Sequence, residues 1–349
     1  MTETIGIAVV GTGDWGANLV RNFATLPGAK LVALCDTDPG RLSKTAARYP
    51  GVRALARVEE VAASADVRAV VVSASAIQHY PIARTLLEAG KDVYVEKPLA
   101  LQADHAEALV KLARERDRIL MVGHLLLYHP AVRYLKDMVT KGELGDVFYI
   151  YSQRVNLGKV RRDENALWSF APHDLSVILH LIDAEPLDVV ARGSAFLQGT
   201  VEDVVFLHLR FAGGRMAHVH VSWLDPHKLR KITVVGSRKM VVFDDMEASE
   251  KVRIYDKGID RPGAPVGQVV SYGDALSVRS GDILIPKISL QEPLQLECQH
   301  FVECVREHKA PLTDGADGLR VVRVLAAAQQ SLTAGGTPIP VAAQPAGVV

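Results

Sequence analysis

Three glycines near the start of the chain have the spacing of a dinucleotide-binding turn. They follow the apolar run Ile5–Val10 and precede a helical pattern. Glycine allows a tight turn at the first position, close approach of the backbone to a pyrophosphate at the second, and close packing of helix on strand at the third. The helix N-terminus adds unpaired N–H groups and a positive dipole end. The residues expected around the dinucleotide are Gly11, Thr12, Gly13, Asp14, Trp15 and Gly16.

An acidic residue at the end of the second apolar run supports this interpretation. Asp36 lies 20 residues after Gly16, where a carboxylate can bind both ribose hydroxyls and repel the 2′-phosphate of NADP. Arg41 is the nearest basic residue, and it falls on the next helical pattern. We therefore expect NAD as the cofactor and weaker binding of NADP. A glycine-rich turn without a ligand is the alternative.

A lysine follows another predicted strand. Glu96-Lys97-Pro98 comes directly after the run Asp92–Val95, at the carboxyl end of a sheet, where doubly wound folds bind ligands. Because Pro98 disfavours helical geometry at the residue before it, Lys97 should project from a rigid strand end. Its ammonium could donate a hydrogen bond to a substrate hydroxyl or carbonyl oxygen beside the nicotinamide. The alternative is an ordinary surface lysine.

A polar stripe on a later helical pattern contains the second candidate. Leu175, Ile178, Leu179 and Ile182 form an apolar face, and Ser169, His173, Ser176 and His180 lie opposite. The helix is expected over about Ser169–Asp183. Because proline is tolerated in the first turn of a helix, Pro172 predicts that His173 lies close to the helix N-terminus. The positive dipole end would keep this imidazole neutral and able to accept a proton. A solvated face with two ordinary histidines is the alternative.

Other polar groups carry weaker signals. His218 and His220 share a predicted strand face without any zinc-motif spacing, so we expect no metal. Lys159, Arg161 and Arg162 form a short basic run that could hold a diphosphate or a carboxylate, or simply be solvated.

The first 122 residues alternate apolar runs with helical patterns, which predicts a doubly wound parallel sheet with right-handed crossovers. The runs are Ile5–Val10, Lys30–Cys35, Arg68–Val72, Asp92–Val95 and Ile119–Val122. From residue 123 the pattern changes to strands joined by hairpin-like turns, with helices near both ends. We expect an α/β protein with a dinucleotide-binding domain at 1–122. An α+β domain with a large, mostly antiparallel open sheet should cover 123–349 and serve substrate binding and oligomerisation. Gly258–Asp282 is expected to be a long loop.

Composition narrows the possible functions. The 349 residues contain 40 basic and 40 acidic side chains, so a nucleic acid or an anionic membrane is not expected as a partner. No segment approaches the roughly 18 consecutive apolar residues of a membrane span. Three cysteines (Cys35, Cys298 and Cys304) cannot form a disulfide framework, which favours a reducing compartment and predicts a cytoplasmic protein.

These motifs together resemble the Gfo/Idh/MocA oxidoreductases. The resemblance rests on IGIAVVGTGDWGANLVRNF, Glu96-Lys97-Pro98, Gly123-His124 and His173, and it covers nearly the whole chain. It implies a Rossmann domain, NAD(P), Lys97 and His173 as catalytic groups, and a homodimer or homotetramer joined through the C-terminal sheets. Further cofactor contacts are then expected from Ser73, Ser75, His79, Glu96 and Lys97. Substrate contacts are expected from Lys97, Arg154, Asn156, Arg161, Trp168 and His173.

Within that family, Asn156–Leu179 is similar to bacterial enzymes that oxidise C3 of UDP-N-acetylglucosamine or its uronic acid. Many members, including the inositol dehydrogenases, have Asp where this chain has Ser169. The expected function is therefore NAD-dependent oxidation of a secondary alcohol of a small-molecule sugar, at C3 of a nucleotide sugar. The alternatives are a ketosugar reductase or inositol dehydrogenase of the same fold, or a non-catalytic dinucleotide-binding sensor.

Overall fold

The computed structural model describes residues 4–158, 160–162, 164–260 and 277–341. The chain divides into two compact units, each built from two separate segments. The first unit is Met1–His129 with Gln291–Ala326, and the second is Pro130–Leu290 with Ala327–Val349. This division differs from the predicted one, in which everything after residue 122 formed a single domain.

The first unit contains a six-stranded parallel sheet in the order β3-β2-β1-β4-β5-β6. Its strands are β1 Ile5–Val10, β2 Ala29–Cys35, β3 Arg53–Leu55, β4 Ala69–Val72, β5 Asp92–Glu96 and β6 Leu120–Gly123. The sheet and its doubly wound order confirm the predicted fold class. β3 was not predicted, because it has only three residues and two of them are exposed, so it has no apolar run.

Helices cover both faces of this sheet. They are α1 Gly16–Thr25, α2 Pro39–Ala46, α3 Val58–Ala63, α4 Ala76–Glu88 and α5 Ala103–Glu115. One apolar cluster joins α3, α4 and α5 to the sheet, and a second cluster joins α1 and α2 to the opposite face. Such burial on both faces explains why the central strands consist almost entirely of Val, Ile, Leu and Ala.

A helix from the end of the chain completes the second cluster. α8 (Pro293–Glu307) buries Cys298, Phe301 and Val305 against the face that α1 covers. The Phe301 ring makes edge contacts with Phe23 and with Tyr94, at centroid distances of 6.3 and 5.7 Å. This packing returns the chain to the first unit after residue 290.

The second unit contains a nine-stranded sheet in the order β14-β13-β12-β11-β7-β10-β9-β8-β15. Its strands are β7 Val147–Val155, β8 Pro186–Ser194, β9 Val204–Phe211, β10 Met216–Ser222, β11 Leu229–Gly236, β12 Met240–Asp244, β13 Val252–Asp260, β14 Ser277–Leu284 and β15 Ile339–Pro340. Within the described part of this second sheet, only β7 and β10 pair in parallel, so the sheet is mostly antiparallel, as predicted. The loop predicted at Gly258–Asp282 is wrong at both ends, which lie in β13 and β14. Its centre, 261–276, lies outside the described residues.

Two helices of the second unit pack on one face of the sheet. α6 is Pro130–Thr140, α7 is Ala166–Ile182, and α7 contacts β7, β9 and β10. The alternation along β9 shows the two faces: Leu207 and Leu209 are buried, whereas Phe206 and His208 are exposed. α9 (Gly315–Thr333) begins in the first unit and ends in the second.

All three cysteines lie within the described residues, where each is buried and free. Burial raises the pKa of Cys35 to about 12, which makes its thiol unreactive, as expected. Among the helices that the structure describes, none has both the length and the apolar character needed to span a membrane.

The position of Phe301 predicts the cost of removing α8 contacts. Phe301→Ala should destabilise the first unit by about 3–5 kcal/mol, because a fully buried ring is replaced by a cavity. Ile77→Ala, on the exposed side of α4, should change stability by no more than about 0.5 kcal/mol. Urea unfolding of both variants measures the difference, and equal midpoints would contradict this role for α8.

Candidate active site

The register of the parallel sheet aligns five strand ends in one row. Cys35, Val10, Val72, Val95 and Val122 are neighbours across β2, β1, β4, β5 and β6. The residues that follow them begin the next row: Asp36, Gly11, Ser73, Glu96 and Gly123. Lys97 comes one residue later. Most of the predicted dinucleotide site therefore lies along one edge of one sheet, where doubly wound folds bind ligands.

In the glycine turn, Gly11 and Gly16 require glycine, whereas Gly13 faces open space. A Cβ on Gly16 would lie 2.0 Å from the Gly11 carbonyl oxygen, and Gly11 itself has φ of +94°. These two positions therefore require glycine. A Cβ on Gly13 would meet no atom within 4 Å, so its backbone faces open space at the start of α1. This cradle, with the N–H groups of the first helical turn, fits a pyrophosphate.

Hydrogen bonds stabilise the Asp36 side chain as an anion. Its Oδ2 accepts hydrogen bonds from Thr12 N at 2.7 Å and Thr12 Oγ1 at 2.9 Å, and its Oδ1 accepts from Asp38 N at 2.9 Å. Burial raises the pKa of Asp36, but the bonds from Asp38 and Thr12 outweigh it, so the pKa lies below the ordinary value. The nearby Arg41 pairs with Asp38 at 3.3 Å. Asp36 therefore carries a fixed negative charge at this sheet edge, and its contact with the ribose and its repulsion of a 2′-phosphate stay predictions.

Ser73 and His79 hold neighbouring loops together. Ser73 Oγ donates to the Gly11 carbonyl at 2.7 Å. His79 is buried, and its ring nitrogens lie 2.7 Å from the Pro98 carbonyl oxygen and 3.1 Å from that of Ala74. Both ring nitrogens thus face backbone carbonyl oxygens of these two segments, and the expected cofactor contact of His79 stays a prediction. Ser75 is the N-cap residue of α4, although its side chain makes no capping hydrogen bond.

Glu96 connects the lysine segment to the glycine turn. Its Oε1 accepts hydrogen bonds from Trp15 Nε1 at 2.6 Å and from the Tyr94 hydroxyl at 3.1 Å, and its Oε2 accepts from the Lys97 backbone at 3.2 Å. Burial raises the pKa of Glu96, and the Trp15 bond and the Lys97 charge oppose this effect. The half-buried Lys97 follows β5 and precedes Pro98 through a cis peptide bond.

The helix that carries His173 begins earlier than predicted. Asn165 caps α7 by accepting a hydrogen bond from Trp168 N at 3.2 Å, so the helix begins at Ala166 and Pro172 lies inside it. His173 is thus the eighth helical residue, and the placement near the N-terminus was wrong. The dipole argument for a neutral imidazole no longer applies, because the dipole effect is confined to the first turn. The helix is buried on most sides, and His173 is half-buried.

An ion pair is buried next to His173. Arg154 on β7 donates to Asp174 through Nε at 2.6 Å and through Nη2 at 3.4 Å, and both side chains are buried. Burial raises the pKa of Asp174, while Arg154 and, more weakly, Arg230 lower it. Arg230 lies directly opposite Arg154 on β11. Arg154, expected to bind substrate, is therefore engaged with a carboxylate that the sequence analysis did not consider.

The other predicted substrate contacts lie in the same unit. Trp168 Nε1 donates to Gln329 at 3.1 Å, and Asn156 is a half-buried residue just after β7. Arg161 pairs locally with Glu164 at 3.0 Å. Lys159, from the predicted basic run, lies outside the described residues.

Sequence reasoning overlooked two buried carboxyl groups. Asp174 is adjacent to His173, and Glu297 falls on the apolar face of α8, three residues after Leu294 and four before Phe301. Each is fully buried. An acidic residue at an apolar position of a helix was the available signal, because a charge in that position needs a partner or a proton.

Family comparisons agree with this geometry. The family described as an oxidoreductase family with an NAD-binding Rossmann fold matches residues 5–124, and the GFO/IDH/MocA C-terminal domain matches residues 132–242. A structure described as a putative oxidoreductase from Magnetospirillum magnetotacticum MS-1 is 30% identical, covers 93% of this chain and 99% of its own, and has a TM-score of 0.76. The chain belongs to the Gfo/Idh/MocA oxidoreductases.

This oxidoreductase also resembles proteins with named substrates. The UDP-N-acetylglucosamine 3-dehydrogenase of Acidithiobacillus ferrooxidans is 27% identical over 92% of this chain and 94% of its own. The scyllo-inositol 2-dehydrogenase (NAD(+)) of Bacillus subtilis is 25% identical over 96% of both chains. The Rossmann domain of this oxidoreductase binds NAD, in agreement with the expected cofactor.

The fixed charge of Asp36 predicts the cofactor preference. NAD should bind at least about tenfold more tightly than NADP, a difference of roughly 1.4 kcal/mol. Asp36→Asn should narrow this gap, since it removes the charge that repels the 2′-phosphate. Asp104→Asn, at an exposed position in the first turn of α5, is the matched control. Calorimetric titration measures the affinity of each protein for NAD and for NADP. Similar affinities of the wild-type protein for both cofactors would refute the prediction.

Proposed function

We propose that this oxidoreductase uses NAD to oxidise a secondary alcohol of a sugar, at C3 of a nucleotide sugar such as UDP-N-acetylglucosamine or its uronic acid. The main support for NAD-dependent oxidation is the row of strand ends. In this row the glycine turn, Asp36 and Lys97 lie on one edge of the sheet. The substrate class is supported by the similarity to the UDP-N-acetylglucosamine 3-dehydrogenase over most of both chains.

The cofactor site follows from the same edge. The backbone of Gly11–Gly16 would hold the pyrophosphate, and Asp36 would accept hydrogen bonds from the adenosine ribose. When bound, NAD supplies the hydride acceptor. The open space beside Gly13 and the ionised state of Asp36 are the features of this chain that fit such a group.

Lys97 and His173 are the proposed catalytic residues. Oxidation of an alcohol requires a base for the hydroxyl proton and a donor that stabilises the developing alkoxide. His173 is our candidate base, and the ammonium of Lys97 is our candidate donor. The two roles can be exchanged, since a lysine that loses its proton also serves as a base.

Ser169 is relevant to whether the substrate is a nucleotide sugar or an inositol. It occupies the position, four residues before His173, where inositol dehydrogenases of the family have an aspartate. Asp174 does not replace that aspartate, because its carboxylate binds Arg154. These features favour a nucleotide sugar over an inositol.

A homo-oligomer is part of the proposal. The sheet face opposite α7 exposes Tyr149, Tyr151, Phe206 and Met216, each with at least 37% of its surface accessible. A second copy that covers this face would remove the apolar surface from water. Light scattering during gel filtration tests for a dimer or tetramer.

The substrate is tested by following the absorbance of reduced nicotinamide. The purified protein is incubated with NAD and UDP-N-acetylglucosamine, its uronic acid, the corresponding free sugars, and scyllo- and myo-inositol. Turnover with the nucleotide sugars alone supports the proposal. Turnover with inositols alone identifies an inositol dehydrogenase, and NAD binding without any turnover favours a non-catalytic sensor.

Lys97→Ala should lower kcat by about 10² or more and leave the affinity for NAD almost unchanged. The reason is that its contact with the substrate oxygen matters chiefly in the transition state. The comparison requires kcat and KM together with an NAD titration. Near wild-type turnover would show that Lys97 is only a strand-end charge.

His173→Asn should lower activity by roughly 10²–10⁴ and remove the acid limb of the pH profile. A histidine base must be neutral, so kcat/KM of the wild-type protein should fall as the pH drops through the imidazole range, near about 6.5. Both profiles should be recorded over the same pH range. If the acid limb survives in His173→Asn, the base is another residue, and Lys97 is the first to test.

A further inference from the structure

Glu297 is a fully buried carboxyl group in the first unit. Neither of its oxygens has a hydrogen-bond partner of normal geometry among the residues that the structure describes. It projects from α8 into the apolar cluster that contains Tyr94, Cys298 and Phe301. A lone carboxylate in such surroundings would cost several kcal/mol. Glu297 is therefore expected to keep its proton.

The titratable groups around Glu297 belong to three elements. β5 contributes Tyr94 and Glu96, the short 3₁₀ segment Leu125–Tyr128 contributes Tyr128, and α8 contributes Cys298. None of these four is a cation. Burial raises the pKa of Glu297 well above the usual range, and repulsion from Glu96 raises it further.

Hydrogen-bond donors show which of the two glutamates carries the negative charge. Glu96 accepts hydrogen bonds of normal geometry from Trp15, from Tyr94 and from the Lys97 backbone. Among the described residues, Tyr94 is the one donor that interacts with Glu297, and it makes no bond of normal geometry to it. A carboxyl group with several donors is stabilised as the anion, and its neighbour with fewer donors keeps the proton. The pair therefore holds one negative charge, located on Glu96.

A protonated Glu297 needs an acceptor for its O–H group. The Tyr94 hydroxyl donates its own hydrogen to Glu96, so its oxygen has lone pairs available. The Tyr94 side chain also lies close enough to Glu297 for the two to interact. The resulting chain runs from Glu297 through Tyr94 to Glu96, with the donors on Trp15 and Lys97 at its far end.

We propose that Glu297 is a positioning residue: as a neutral acid it orients the Tyr94 hydroxyl, and Tyr94 in turn holds the anionic Glu96 between Trp15 and Lys97. This chain of hydrogen bonds links α8 to the glycine turn and to the candidate catalytic lysine. The proposal rests on the proposed function only for its kinetic consequences. No bond is formed or broken, because the proton stays on Glu297.

The protonation state is tested without any substrate. The infrared difference spectrum between wild-type protein and Glu297→Gln at neutral pH should show the C=O stretch of a protonated carboxylic acid. Tyr94→Phe should shift that band, because it removes the acceptor of the Glu297 O–H and almost preserves the volume. A carboxylate band in the first spectrum, or an unchanged band in Tyr94→Phe, would overturn the proposal.

The positioning role is tested by kinetics as a function of pH. Glu297→Gln, whose amide can still donate to Tyr94, should keep kcat/KM within about twofold of wild type. Glu297→Leu should lower it about tenfold, as expected for a displaced reactive group. Its kcat/KM should also start to fall at a higher pH than that of the wild-type protein, because Glu96 without an oriented Tyr94 takes up a proton more readily and this loss adds to the protonation of His173.

Val302→Ala is the matched control for loss of packing alone. Val302 is buried on the same helix and belongs to no part of this chain of hydrogen bonds. Its variant should unfold at lower temperature and keep the wild-type pH profile. If Glu297→Leu also keeps that profile, or if Glu297→Gln behaves like Glu297→Leu, the proposal is refuted. If no sugar is turned over at all, the proposed function fails, while the infrared result still decides the state of Glu297.

Discussion

The alignment of five parallel strand ends is the constraint on which the candidate site depends. Parallel pairing brings the carboxyl ends of β1, β2, β4, β5 and β6 together, so residues far apart in the sequence come to one edge. Gly11 and Asp36 meet there because their strands are neighbours. A helix N-terminus and a carboxylate then face the same space, as a dinucleotide requires. The apolar clusters on both faces of the sheet keep that register.

Three carboxyl groups of this protein are stabilised in three different ways. Asp36 is partly exposed and ionised, since backbone and hydroxyl donors surround it. Asp174 is fully buried against the guanidinium of Arg154, which offsets part of the cost of its burial. Among the described residues, Glu297 has no cation and no hydrogen bond of normal geometry, and burial raises its pKa well above the usual range, in line with the neutral acid that we propose. Each case follows from the number and charge of the groups within reach.

The candidate site residues have different surroundings in the two units. In the first unit, Glu96 accepts hydrogen bonds from both Trp15 and Lys97, so the glycine turn and the lysine segment share one anion. In the second unit, α7 carries His173 among buried neighbours on a sheet whose opposite face exposes aromatic side chains. The family assignment agrees with both arrangements, since separate family descriptions match the two parts of the chain.

The sequence by itself determined the local elements and the order of the motifs. Buried parallel strands are continuous apolar runs, and the glycine spacing and Asp36 are local features, so the first sheet and the cofactor were predicted correctly. Tertiary structure decided what depends on distant partners. The return of α8 to the first unit depends on its packing against Phe23 and Tyr94. The start of α7 depends on the cap at Asn165, which made the placement of His173 wrong. The ionisation of Glu96 depends on Trp15, a donor 81 residues away in the sequence, and that of Glu297 depends on how few donors its burial leaves within reach. No spacing rule can predict such contacts.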